Sequence, residues 1–139
     1  VRAEKTFASA IQIGNPVSYP KARKAIEEYS GAVVDVSEQE LADAAHQADR
    51  IGLYCCPHTG VALAGMKKLR ENSLIQDGET VVVISTAHGL KFSEFKVGYH
   101  DGALEAITPS YANPVFHTSP QIGQVMDLLN REMKQRSRR

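Results

Sequence analysis

Two short segments of the 139-residue chain gather the side chains from which binding and catalysis are usually built. The first is Cys55-Cys56-Pro57-His58-Thr59-Gly60 and the second is Ser85-Thr86-Ala87-His88-Gly89. Each joins an apolar run to small polar residues, a histidine and a glycine. Such a glycine lets backbone approach a planar ligand, and the hydroxyls supply hydrogen bonds. Cys55, Cys56, His58 and His88 are also potential ligands for a borderline metal. Their spacing argues against one, because adjacent cysteines on a strand point to opposite faces and no Cys-x-x-Cys pair occurs. No metal is therefore expected. A cysteine–histidine nucleophile is disfavoured too, since no acid is placed to orient an imidazole. Cys56 followed by Pro57 also shows no helix N-terminus to lower its pKa. The two thiols read instead as small, reduced core hydrophobes, which excludes a secreted disulfide framework. Ser85 and Thr86 also have a local reading, as hydroxyls that satisfy backbone at a strand end. His46, His100 and His117 are placed on a polar helix face or in loops, with no specific role.

Alternating strands and helices would position these segments. Ala22, Ala25, Ile26 and Tyr29 share one face of a helix over 19–29 that Gly31 closes. Ala32 to Val36 forms a β-branched run, and Ser37-Glu38-Gln39-Glu40 is a capping box opening a second helix that ends near Arg50. Ile51 to Cys55 reads as a second strand, stopped by Pro57. A third helix is expected from Thr59 or Gly60, with an apolar stripe of Val61, Ala62, Leu63, Met66 and Leu69. Asp77-Gly78 marks a turn, and Thr80 to Ser85, lacking polar alternation, reads as a central strand buried on both faces. Residues 91–120 are broken by Gly98, Gly102, Pro109, Pro114 and Pro120. A last helix over 121–135 should bury Ile122, Val125, Met126 and Leu129. The expected fold class is α/β, a layered parallel sheet with helices on both faces. Three strands leave buried edges without neighbours, so a piece of a larger sheet is expected. Ligands then collect beyond the carboxyl ends of the strands, where both segments lie.

Composition narrows the function. Sixteen basic residues balance sixteen acidic ones, and 42 % of the chain is hydrophobic, which suits one folded core and excludes intrinsic disorder. A nucleic-acid binder needs a basic face, whereas the only basic cluster is the tail from Arg131 to Arg139, expected to solvate a helix end. No apolar run is long enough for a bilayer span. The start at Val1, without a signal or transit pattern, suggests a processed or truncated product.

Four blocks in register resemble the carboxyl-terminal portion of threonine synthase of the plant-like type. They are Ala10 to Ser18, Cys56 to Leu63, Ser85 to Phe92, and Tyr111-Ala112-Asn113-Pro114. The resemblance covers essentially the whole chain, residues 1–139, as part of the larger pyridoxal-phosphate-binding domain of a fold type II enzyme. It implies conversion of O-phosphohomoserine and water to threonine and phosphate by β,γ-replacement. It also implies a homodimer when full-length, in plastid stroma for a plant source and otherwise in cytoplasm. By position in the motif, Thr86 matches the partner of the cofactor's pyridine nitrogen and Ser85 is its neighbour. His58 and His88 are further cofactor-site candidates. The Schiff-base lysine and the phosphate loop belong upstream in the family, so no catalytic residue is expected in this chain and activity requires the missing parts. Ser93-Glu94-Phe95-Lys96 loosely echoes a lysine context, but in the family's register Lys96 is a solvated loop lysine. Two rival readings are a free-standing, non-catalytic α/β binding module and a fragment of a related serine or threonine dehydratase.

Overall fold

Ser37 and Glu40 start the helix that carries the largest share of the core. In the computed structural model, which describes residues 1–136, this helix is the second of five. Helix α1 spans Tyr19–Glu28 and α2 spans Glu38–Asp49. The Glu40 amide donates to Ser37 Oγ at 3.2 Å and the Ser37 amide donates to Glu40 Oε2 at 2.6 Å. This reciprocal box satisfies two amides that a helix start leaves unpaired, and it holds the Glu40 carboxyl below its usual range.

Small residues then set how closely the next helix approaches. Helix α3 spans Pro57–Glu71 and packs on α2 as the dominant helix pair. A Cβ on Gly60 would lie 2.5 Å from the Leu41 carbonyl oxygen and 3.1 Å from the Ala45 Cβ, so glycine is what permits this separation. Helix α4, Ser93–His100, packs against the same core. Its Phe95 and Tyr99 join Leu41, Ala42, Ala45, Ala48, Cys55 and Ile107 in one core. His46 stacks on Tyr99 with ring centroids 3.6 Å apart. The segment that follows is pinned back onto α2. Tyr99 Oη and Ser110 Oγ both donate to Asp43, the latter at 2.6 Å, and the Gln39 side chain makes two 2.9 Å bonds to the Thr108 backbone. Helix α5, Ile122–Arg136, ends the described chain.

The expected layered parallel sheet with helices on both faces is corrected by this structure. Among the described residues the β pairing is a single isolated antiparallel bridge, Cys55 to His88. Val82 and Ile84, expected at the centre of a sheet, are 85 % and 75 % exposed. A β-branched run favours extended backbone, but a strand exists only when a neighbour completes its hydrogen-bond ladder. No two of the three expected strands form one.

Helix positions follow the sequence more closely than helix burial does. α1 occupies its expected span, yet none of its residues is buried. α5 does likewise, and Ile122, Met126 and Leu129, expected inside, are exposed. Periodicity fixes which side chains share a face, but burial needs a second surface. α3 begins at Pro57, two residues before Thr59, and α4 occupies a stretch expected to be irregular. The expected tail from Arg131 to Arg139 lies partly outside the described residues.

Candidate functional site

The antiparallel bridge sets the two candidate segments side by side. The Cys56 amide donates to the Ala87 carbonyl at 3.2 Å, and the Gly89 amide donates to the Tyr54 carbonyl at 2.9 Å. Gly89 has no room for a side chain, since a Cβ would meet Tyr54 Cδ1 and Lys96 Cε at 2.8 Å and the Cys55 carbonyl oxygen at 2.9 Å.

Because α3 starts at Pro57, Cys56 is its N-cap, which corrects the expectation that no helix begins there. Proline suits a first helical position, where its missing N–H would have had no intrahelical partner. Cys56 Sγ lies 3.4 Å from Thr59 Oγ1 and 3.5 Å from Thr86 Oγ1. Thr59 Oγ1 in turn lies 3.3 Å from Ser85 Oγ. Burial pushes the Cys56 thiol up, but bonds from the Thr59 and Thr86 hydroxyls, the Thr59 backbone and His58 outweigh it and bring the pKa down to about 6. Cys55 is the opposite case, its thiol pushed up by burial.

Ser85 and Thr86 are exposed, whereas Cys56 and Thr59 beneath them are fully buried. The result is a pair of accessible neutral hydroxyls held from below by a thiol and a third hydroxyl. The histidines are engaged with backbone. His58 Nε2 accepts from the Ala10 amide at 2.9 Å, with its ring 5.4 Å from Phe92. His88 Nδ1 accepts from the Leu90 amide at 3.2 Å and so caps the 3-10 turn Gly89–Phe92. A cleft of about 420 Å³ is lined by Phe7, Phe92, Phe95 and Leu104, and Ser85, Thr86, His58 and His88 are not part of its lining.

A second polar cluster went unrecognised in the sequence. His46, expected on a polar face, is 1 % exposed, with Nδ1 donating to the Ala42 carbonyl at 2.7 Å and Nε2 unpartnered. Lys96, expected as a solvated loop lysine, is buried in α4 and donates to both Asp49 oxygens, at 2.7 and 2.8 Å. Its ammonium also lies 4.8 Å from the Tyr54 ring centroid. Burial pushes His46 down to about 4 and lowers His100 as well. The available signals were the His46–Asp49 spacing of one helical turn and the four-residue spacing of Phe95 and Tyr99, which marks α4 as a helix.

A rim of exposed neutral hydroxyl donors fits the nitrogen edge of a heteroaromatic ring, which accepts one hydrogen bond in its plane. The sequence pattern of the family described as "Pyridoxal-phosphate dependent enzyme" matches residues 1–87, which include Ser85, Thr86 and His58. The chain belongs to this family of pyridoxal-phosphate dependent enzymes. Within it, the chain is 44 % identical over 134 residues to threonine synthase 2, chloroplastic, of Arabidopsis thaliana, covering 96 % of this chain and 26 % of that protein. It is 41 % identical over 88 residues to a threonine synthase of Methanocaldococcus jannaschii, covering 63 % of this chain and 22 % of that protein. A threonine synthase of a Bacillus species is 38 % identical over 92 residues, covering 66 % of this chain and 26 % of that protein. The chain thus spans about a quarter of the length of the curated relatives it matches. Among the described residues, no helix is long and apolar enough to cross a membrane.

Proposed function

We propose that residues 1–139 are the carboxyl-terminal part of the cofactor-binding domain of a threonine synthase, an enzyme that converts O-phosphohomoserine and water to threonine and phosphate. The observation that carries this reading is similarity to a plant threonine synthase along 96 % of the chain. The chain's contribution is the pyridine-nitrogen side of the cofactor pocket. When bound, pyridoxal phosphate withdraws electrons from the substrate carbon that must carry negative charge. When the ring is bound, Thr86 Oγ1 turns its single proton from Cys56 Sγ to the ring nitrogen and acts there as a neutral donor, with Ser85 beside it. A neutral hydroxyl leaves that nitrogen less protonated than a carboxylate partner would, which moderates the electron withdrawal. Cys56 and Thr59 fix the positions of the two hydroxyl oxygens, and His58 and His88 hold the surrounding backbone. The lysine that anchors the cofactor is supplied from outside this chain, so the chain alone is inactive. A plastid location accords with the plant relative's name.

The test is phosphate release from O-phosphohomoserine by two proteins, this chain alone and a longer protein that carries it. Release by the longer protein only is the expected result. Release by this chain alone would overturn the division of labour, and turnover of threonine in preference to O-phosphohomoserine would assign a dehydratase instead. In the longer protein, Thr86→Ala should lower kcat and shift the visible absorption of the bound cofactor, while Thr86→Ser retains both.

A further inference from the structure

We propose that His46, Asp49 and His100 form a binding site for a late first-row divalent metal ion, with zinc its best-suited occupant. The three residues come from α2 and the end of α4, and one ligand atom from each lies within 4.8 Å of the others. His46 is the anchor. Its Nδ1 must carry a proton, because its partner is the Ala42 carbonyl at 2.7 Å, and a carbonyl only accepts. Nε2 therefore presents a lone pair, and that atom is buried with no hydrogen-bond partner. A backbone carbonyl fixing one ring nitrogen while the other faces inward is the arrangement that metal-binding histidines adopt. The stacked Tyr99 ring, 3.6 Å away, holds the imidazole plane.

Charge selects the ion. Lys96 already neutralises Asp49 through both oxygens, so the carboxylate attracts a dication less than a free one would. Two imidazoles supply most of the affinity, which favours nitrogen-seeking zinc over magnesium or calcium. Zinc holds ligands at about 2.0–2.1 Å, which in a tetrahedron puts them roughly 3.4 Å apart, so the cluster must contract by up to about 1.4 Å. His100, half-buried at the end of α4, is the part that moves.

That movement has one unavoidable consequence. His100 Nδ1 now accepts from the Asn113 amide at 3.1 Å. If Nδ1 takes the metal, Asn113 loses its acceptor. If Nε2 takes it, the ring proton must sit on Nδ1, and Asn113 loses its acceptor again. Metal binding therefore frees the Asn113 amide, whichever nitrogen is used.

The test titrates the full chain with zinc alone, against a chromophoric chelator, at neutral pH with thiols reduced. One zinc per chain is expected. His46→Ala and His100→Ala each weaken it by about tenfold or more, while Cys56→Ala and His58→Ala leave it unchanged. Asn113 amide exchange should accelerate on zinc addition, and cobalt substitution should give visible bands without thiolate charge transfer. Should His46→Ala not fold, His100→Ala and the Asn113 exchange decide. Absence of zinc binding, indifference to His100→Ala, unaltered Asn113 exchange, thiolate charge transfer or equal uptake of magnesium would each overturn the proposal.

Discussion

Replacing His46 with phenylalanine should remove a specific, calculable part of the protein's sensitivity to acid. In the folded chain burial keeps His46 neutral, with a pKa near 4 against an ordinary value of 6.5. Above pH 6.5 the ring is neutral in folded and unfolded chains alike and contributes nothing to pH dependence. Between pH 6.5 and 4 the unfolded chain binds a proton that the folded chain refuses, so stability falls as pH falls. Below pH 4 the loss levels off. The difference of 2.5 pKa units, at 1.36 kcal/mol each, amounts to about 3 kcal/mol accumulated across that window. With urea slopes of about 1–3 kcal/mol/M, the denaturation midpoint should drop by roughly 1–3 M on this account. Phenylalanine keeps an aromatic ring against Tyr99 but cannot titrate. Other carboxyls titrate in the same window, among them Asp43, which burial raises but its Ser110 and Tyr99 hydrogen bonds bring below its usual value. The readout is therefore the difference between the two proteins' stability-versus-pH curves, not either curve alone. A chelator must be present, because a metal on Nε2 would resist the proton. Parallel curves between pH 4 and 6.5 would refute the reasoning.

Thr59→Val removes a hydroxyl donor to Cys56 Sγ and should raise the thiol pKa above its value of about 6, followed by thiolate absorbance against pH; an unchanged titration would refute the role given to Thr59. Lys96→Met leaves Asp49, whose side chain is 11 % exposed, without its countercharge. A loss of about 3 kcal/mol is expected, with partial recovery in the double variant Lys96→Met and Asp49→Asn, both measured by denaturant titration. Gly60→Ala gains about 1 kcal/mol of helix propensity but sets a methyl 2.5 Å from the Leu41 carbonyl oxygen. A net loss of stability is expected, and a gain would show that α2 and α3 separate freely.

Local chemistry was legible and distant company was not. The Ser37–Glu40 box and the spans of α1, α2 and α5 follow from spacing and caps within a few residues of one another. The sheet did not follow, because Thr80 to Ser85 states only a backbone preference and says nothing of the neighbour it needs. The same limit applies to Ile122, Met126 and Leu129, whose stripe is present and uncovered. Of the hydroxyl site, Ser85 and Thr86 were visible as a motif, whereas Cys56 as an N-cap depended on reading Pro57 as a helix start rather than a strand stop. His46 and Lys96 were misplaced for one shared reason. Each is a polar side chain whose burial rests on a partner about fifty residues away, Tyr99 for His46 and Asp49 for Lys96, and no window of local periodicity contains both ends.

Tyr54 stands where the two polar clusters adjoin. Its carbonyl holds Gly89, its ring lies 5.6 Å from that of His88, and the Lys96 ammonium sits over one face at 4.8 Å. The chain has five tyrosines and no tryptophan, so its emission is not drained by transfer to an indole. Tyr54 thus makes the junction optically audible. Movement of the His88 ring, displacement of the hydroxyl turn or rearrangement of the lysine ion pair alters the surroundings of one fluorophore, and replacing the other four tyrosines with phenylalanine isolates its signal without adding a label.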